Sequence, residues 1–311
     1  MRIAVASGKG GTGKTSLAVS LALALREDGG PWADPGPPPL FLDCDVEAPD
    51  AHLFLHPEMD SSKDVALQVP VLDRDRCTLS GQCVDVCQYN ALAILGGEVR
   101  IFPELCHGCG SCTLICPEEA IDEVPRVLGR LEAGWSGGIR FARGILNVGE
   151  AMAVPVIHDL KDWATPEAGQ VTILDAPPGT SCPMVETVAG SDFVLLVTEP
   201  TPCGLHDLEL AVEAIRVLGI PMGVVINRDG IGDQGVDSFC TAEGLPVLMR
   251  VPFHREIAEE IARGGTLLGI RPEYGELLRH LVKQLAGAAQ PAEGGNPAPA
   301  GHGQTRGKEE S

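Results

Sequence analysis

The sequence predicts an α/β fold: a doubly wound, mostly parallel sheet carrying a small inserted α+β module. Three observations predict it. Short apolar runs that end in polar or acidic residues alternate with helical periodicity along most of the chain, as the strands and helices of a parallel sheet do. The first such run, Ile3 to Ala6, leads into Gly8-Lys9-Gly10-Gly11-Thr12-Gly13-Lys14-Thr15 and then into an apolar stretch of helix formers, Leu17 to Leu25. Between about Asp73 and Val124 the apolar period fades and cysteines arrive at short spacing. The expected division is 1–72 and 125–285 for the main domain and 73–124 for the insert. Residues 286–311 are Gly, Pro, Ala and polar residues with nothing to bury, which reads as a disordered tail.

Strand, glycine loop and helix together make G-x4-G-K-T a phosphate-binding loop of a P-loop NTPase. Its glycines, Gly8, Gly10, Gly11 and Gly13, let backbone N–H groups approach phosphates closely. The helix that starts near Thr15 and Ser16 sets its positive dipole end under the anion. Lys14 is expected to reach the outer phosphates and the Thr15 hydroxyl to hold Mg²⁺. Gly29 to Pro39 is too rich in Gly and Pro for helix or central strand and reads as a surface connection.

Leu40 to Leu42 is the next buried strand, ending in Asp43-Cys44-Asp45. Parallel sheets gather ligand groups at the carboxyl ends of their strands, so Asp45 is placed to meet Mg²⁺ or the attacking water. Val171 to Asp175 repeats the pattern and runs into Ala176-Pro177-Pro178-Gly179-Thr180. A carboxylate at such a strand end, Asp175, is what a Mg²⁺ shell requires. Phe193 to Thr198, Met222 to Asn227 and Val247 to Val251 read as three more strands, and Leu205 to Leu218, Ile257 to Ala262 and Glu273 to Gln284 as helices. Val154 to Trp163 is a further short helix. Asn227 closes its strand with an amide able to read both edges of adenine.

Cys106-x2-Cys109-x2-Cys112-x3-Cys116-Pro117 is the bacterial ferredoxin run for a [4Fe–4S] cluster, whose fourth cysteine serves the other cluster of a pair. Cys77, Cys83 and Cys87 occupy matching positions upstream, but Ser80 stands at the second position and Gln88 where proline is usual. Crossed ligation gives one cluster Cys87, Cys106, Cys109 and Cys112, and the other Cys77, Cys83 and Cys116 with Ser80 at the vacant corner. A serine hydroxyl is a poor iron ligand beside thiolates. The second site is left with three outcomes: a [3Fe–4S] cluster, a [4Fe–4S] cluster with a labile corner, or no cluster. Val127 to Leu131 and Ile139 to Val148 read as a hairpin returning the chain to the sheet, with Trp135 near its tip covering the module junction. His107 reads as an exposed spacer, and Cys44, Cys182 and Cys203 as small buried side chains.

The chain has 311 residues, a formal net charge of −20 and 11 cysteines. An acidic surface repels nucleic-acid phosphates and anionic lipid, so no nucleic-acid partner is expected. No apolar run approaches the ~20 residues that cross a bilayer, and Met1 leads straight into the first strand, so the expected location is the cytoplasm. There thiols stay reduced and clustered cysteines serve metals.

The doubled lysine of Lys9-Gly10-Gly11-Thr12-Gly13-Lys14-Thr15 resembles the phosphate loop of the MinD/ParA and nitrogenase-iron-protein superfamily. Asp43 to Asp50 and Asp175 to Thr180 resemble its two switch regions. With the Cys106–Cys116 run and Thr198-Glu199-Pro200-Thr201-Pro202, residues 1 to 285 are similar to the superfamily members that carry an inserted ferredoxin domain, relatives of the Mrp-type iron–sulfur carrier ATPases. The resemblance implies a homodimer sandwiching ATP and Mg²⁺, with Lys9 reaching the partner's nucleotide, Lys14, Asp45 and Asp175 serving hydrolysis, and Asn227 and Pro252 near the base. It implies an ATPase, slow without a partner. Its output is expected to be electron transfer to a redox partner. The alternatives are delivery of a cluster to an apoprotein client, or a positioning ATPase with structural clusters.

Overall fold

The computed structural model describes residues 1–26 and 37–288. Of the expected tail 286–311, residues 286–288 instead close the last helix, which runs Tyr274–Ala288; the remainder, and most of the Gly29 to Pro39 connection, lie outside the described residues.

A nine-stranded sheet organises the molecule. In chain order its strands are β1 (Arg2–Ala6), β2 (Leu40–Asp43), β3 (Glu58–Leu72), β6 (Ile121–Ser136), β7 (Ile139–Leu146), β8 (Thr172–Asp175), β9 (Phe193–Thr198), β10 (Met222–Asp229) and β11 (Val247–Pro252). Their spatial order is β11-β10-β9-β1-β8-β2-β7-β6-β3. From β11 to β7 every pairing is parallel, while β6 and β3 are added antiparallel. The expected mostly parallel sheet is therefore present.

Alternation of side chains along each strand feeds two cores. Ile3 and Val5 face one layer with α1 (Lys14–Arg26), α9 (Arg255–Ala262), α10 (Leu267–Ile270) and α11 (Tyr274–Ala288). Ala4 and Ala6 face the other, with α5 (Ala153–Trp163), α6 (Cys182–Val188), α7 (Pro202–Leu218) and α8 (Gly235–Ala242). α7 shows why its boundaries fall where they do. The Thr201 side chain accepts from Gly204 N, Pro202 opens the first turn, and Gly219 closes the helix at φ 67°.

The long strands β3 and β6 were not legible as one ribbon in the sequence. Gly129 of β6 pairs with Leu146, the last residue of β7, so residues 121–128 project past the carboxyl edge of the sheet, roughly 25 Å at about 3.3 Å per residue. One extra residue in β6 shifts the register between Val65 and Ala66, where the ribbon leaves the sheet. Such a shift bends a ribbon. Beyond its end, Leu72 paired with Ile121, lie α3 (Gln82–Val86), the two-stranded sheet of β4 (Leu92–Leu95) and β5 (Glu98–Ile101), and α4 (Ser111–Ile115). A third small core forms there from Val69, Ala91, Leu92, Val99, Ile121 and the cysteines. Trp135 pairs with Glu58 at the opposite end of the ribbon and is 46% exposed. It therefore does not cover the module junction, because β6 runs its whole length between the two. α2 (His52–Leu55) completes the link between β2 and β3.

Candidate functional site

The glycine loop joins β1 to α1, as expected, and forms the floor of a cavity of about 390 Å³ at the carboxyl edge of the sheet. Lys9, Gly10, Gly11, Gly13, Lys14, Thr15 and Ser16 line it from below. Asp45, Asp50 and Phe54 line one side, and Asn227, Arg228, Pro252, Phe253 and Ile257 the other. That apolar far wall suits a planar ring, and the loop suits its phosphates.

Two predicted loop residues do other work. Gly8 is outside the lining: a Cβ there would stand 2.0 Å from the Asp207 carbonyl oxygen, so the loop entrance is pressed on α7. The Thr12 hydroxyl is buried without a partner, and its carbonyl accepts from Asn227 Nδ2 at 2.7 Å. Asn227 Oδ1 accepts from the Arg228 backbone N–H at 2.9 Å. Each polar end of the Asn227 amide thus makes one bond within the protein, which anchors the loop, and the second N–H and second lone pair are left for a base. Gly13 is held at φ +89°, and a Cβ there would lie 2.3 Å from Asn227 Nδ2. Only glycine meets both demands.

Beneath the loop lies a charge cluster. Lys14 Nζ donates to Asp175 Oδ1 at 2.5 Å, with side-chain exposures of 7% and 0%. Burial opposes the charge on Lys14, yet Asp175, backed by Asp45 and Asp43, holds its pKa above the usual lysine value. The other Asp175 oxygen, Oδ2, is buried without a partner. Asp43 was not among the predicted site residues, but it sits beside Asp175 in register. It is fully buried, and burial together with Asp175 pushes its pKa well up. Its carboxylate accepts from Ala51 N at 3.1 Å and Asp45 N at 3.3 Å, so it fixes the segment after β2. The signal that could have found it is the D-x-D pattern at a strand end. Asp45 lines the cavity; burial raises its pKa to about 6 against the pull of Lys14. Asp175, with its unpartnered buried oxygen, and Asp45 at the cavity wall offer oxygen ligands that fit a divalent cation beside phosphates, and Lys14 offers the phosphates a positive charge.

The segment after β2 is tied to the ribbon. It runs from Asp45 through α2 into β3, Leu55 O accepts from Ser136 Oγ of β6, and Val46 O accepts from Leu146 N of β7 at 2.8 Å.

The cysteines gather into two sets. Cys87, Cys106, Cys109 and Cys112 line one small cavity, and Cys77, Cys83 and Cys116 line another with Ser80. Backbone N–H groups point at three of the sulfurs, from Ala91 to Cys87 at 3.3 Å, Gly108 to Cys106 at 3.4 Å and Ala120 to Cys116 at 3.3 Å. Among the described residues, no three His, Cys, Asp or Glu side chains gather as a site for a metal ion. His107 is not a bare spacer: its ring stacks on Tyr89 at 3.8 Å between centroids, and both line the first cavity. Cys44 is buried as expected, but Cys182 and Cys203 are exposed, each in the first turn of a helix at the carboxyl edge. No described helix is long and apolar enough to cross a membrane.

Comparison with known proteins places this geometry. An uncharacterized protein of Methanocaldococcus jannaschii is 30% identical over 285 residues, covering 92% of this chain and 96% of its own. An iron–sulfur cluster carrier protein of Aquifex aeolicus is 25% identical over 288 residues, 87% of this chain and 62% of that protein. A ferredoxin of Pyrobaculum islandicum is 35% identical over 68 residues, 21% of this chain and 64% of that protein. Among solved structures, the septum site-determining protein MinD of Pyrococcus horikoshii, complexed with Mg-ADP, aligns with a TM-score of 0.55 at 16% identity, covering 93% of this chain and 98% of that one. Residues 3–267 match the model of the CobQ/CobB/MinD/ParA nucleotide binding domain, and the chain belongs to that family.

Proposed function

We propose that this protein binds and hydrolyses ATP and couples its nucleotide state to electron transfer through ferredoxin-type clusters. The observation that carries the reading is the pairing of two cysteine-lined cavities with a nucleotide cavity through one continuous ribbon. Lys14 would bind the outer phosphates. Thr15, Asp45 and Asp175 would hold Mg²⁺, whose charge balances the buried carboxylates. Asp45 lines the cavity, where it would orient the attacking water. Lys9 would reach the phosphates of a second copy in a homodimer.

Cys87, Cys106, Cys109 and Cys112 would hold a [4Fe–4S] cluster, and Cys77, Cys83 and Cys116 a [3Fe–4S] cluster or a [4Fe–4S] cluster with an open corner at Ser80. Thiolates that take separate corners of a cluster stand farther apart than those around a single ion, and N–H groups aimed at sulfur stabilise them. Such clusters supply one-electron transfer. Asp43 holds Ala51, and Ala51 starts the short helix that leads into β3. Motion of the Asp45 segment on loss of the γ-phosphate is therefore passed to the ribbon. Moving a two-state element from 1:99 to 99:1 takes about 5.5 kcal/mol of differential binding, within reach of a γ-phosphate and its ion.

A second reading, delivery of a cluster to an apoprotein, is favoured by Ser80 and by the likeness to the Aquifex carrier protein. Iron, acid-labile sulfide and EPR of anaerobically prepared protein test the first reading. Cys106→Ser should remove the four-iron signal and leave the other. Retention of both signals contradicts the assignment, and transfer of iron to a chelator on adding Mg-ATP favours the carrier. Lys9→Ala should prevent ATP-dependent dimerisation; a variant that dimerises normally removes the sandwich.

A further inference from the structure

Glu199 stands where β9 passes into α7. Its side chain is 8% exposed, and it faces two cations. Arg228 NH1 donates to Oε1 at 2.9 Å, and Lys9 Nζ lies 3.9 Å from Oε2. The backbone around Lys9 is pinned. Gly8 is packed against Asp207 of α7, and the Lys9 carbonyl accepts from Ser7 Oγ at 2.8 Å. Only the side chain of Lys9, 31% exposed at the cavity mouth, is left to move.

We propose that Glu199 is a positioning residue for Lys9: in the free subunit its carboxylate holds the ammonium back in cis, and Arg228 allows its release. This rests on the reading that Lys9 serves the nucleotide of a second copy. A buried carboxylate stripped of its only cation is strongly destabilising. Here Arg228 stays behind when Lys9 leaves, so departure costs only the small worth of a long, partly exposed pair. The hold is a bias that favours the withdrawn lysine and yields to a triphosphate. Arg228 also follows Asn227, which anchors the glycine loop. The far wall of the cavity is thereby joined to the lysine at its mouth.

The roles predict opposite signs. Glu199→Gln frees Lys9 in both subunits, and the dissociation constant of the dimer formed with Mg²⁺ and a non-hydrolysable ATP analogue should fall about two- to thirtyfold, from the squared weight of one such pair. Arg228→Ala leaves Lys9 as the sole cation on Glu199, and the same constant should rise. Sedimentation reads both, with thermal unfolding and Mg-ADP binding measured alongside. A merely structural ion pair would give two shifts of one sign. Both variants weakening the dimer, or neither shifting it, overturns the proposal. If Lys9→Ala dimerises as the unmodified protein does, the sandwich reading itself fails. Should Glu199→Gln not fold, acetylation of Lys9 read by mass spectrometry replaces it. Lys9 should be modified more slowly in Arg228→Ala than in the unmodified protein, and an equal or faster rate overturns the proposal.

Discussion

Asp175→Asn isolates the charge balance on which the nucleotide cavity is built. Lys14 and Asp175 are 7% and 0% exposed and 2.5 Å apart. Neutralising Asp175 leaves a buried ammonium short of its nearest counter-charge, which costs about 3–5 kcal/mol. Asparagine keeps an oxygen in place, and Asp43 and Asp45 still act on Lys14, which puts the loss near the lower end, about 3 kcal/mol. Against a total stability of about 5–15 kcal/mol that is large, and at about 2 °C per kcal/mol for a chain of this size it lowers Tm by about 6 °C. Urea unfolding without nucleotide, followed by circular dichroism, measures it. The double variant Lys14→Met with Asp175→Leu should lose less than Asp175→Asn alone, since it leaves no buried ammonium and Asp43, whose pKa burial already pushes well up, can keep its proton. A single variant within about 1 kcal/mol of the unmodified protein would refute the claim that Asp175 is the counter-ion of Lys14.

Three further outcomes follow. A raised carboxylate pKa means that the folded chain binds this proton more tightly than the unfolded chain. The contribution of Asp45 is therefore present on the acid side and is lost as pH rises from 3.8 toward about 6; Asp45→Asn should flatten nucleotide-free stability across that window, and an unchanged thermal-unfolding profile contradicts the assignment. Gly13→Ala, strained at φ +89° and pressed on Asn227, should lose binding of a fluorescent ATP analogue by at least about tenfold, whereas near-normal affinity would show that the loop tolerates a Cβ. Ser80→Cys completes a four-cysteine cavity with Cys77, Cys83 and Cys116 and should convert a three-iron EPR signal into a four-iron one.

Much of this was legible from local signals. The glycine loop, the acidic strand ends and the cysteine spacing can each be read within a few residues, and in the structure Cys87, Cys106, Cys109 and Cys112 line one cavity and Cys77, Cys83 and Cys116 another. The ribbon was not legible, because β3 opens on a largely polar, exposed stretch, Glu58 to Asp64, that gives no apolar alternation. Trp135 was misplaced for the same reason: without β3 its position along β6 could not be fixed. The engagement of Asn227 with Thr12 spans 215 residues, and the pairing of Glu199 with Lys9 and Arg228 joins three segments far apart in the chain. Side-chain contacts of that separation leave no periodic trace.

The most direct test is the reduction potential and EPR spectrum of the anaerobic protein, titrated with the nucleotide cavity empty and then filled with Mg-ATP. The account predicts a reversible change in both on filling, abolished in Lys14→Ala. Superimposable titrations and spectra in the two states would contradict it.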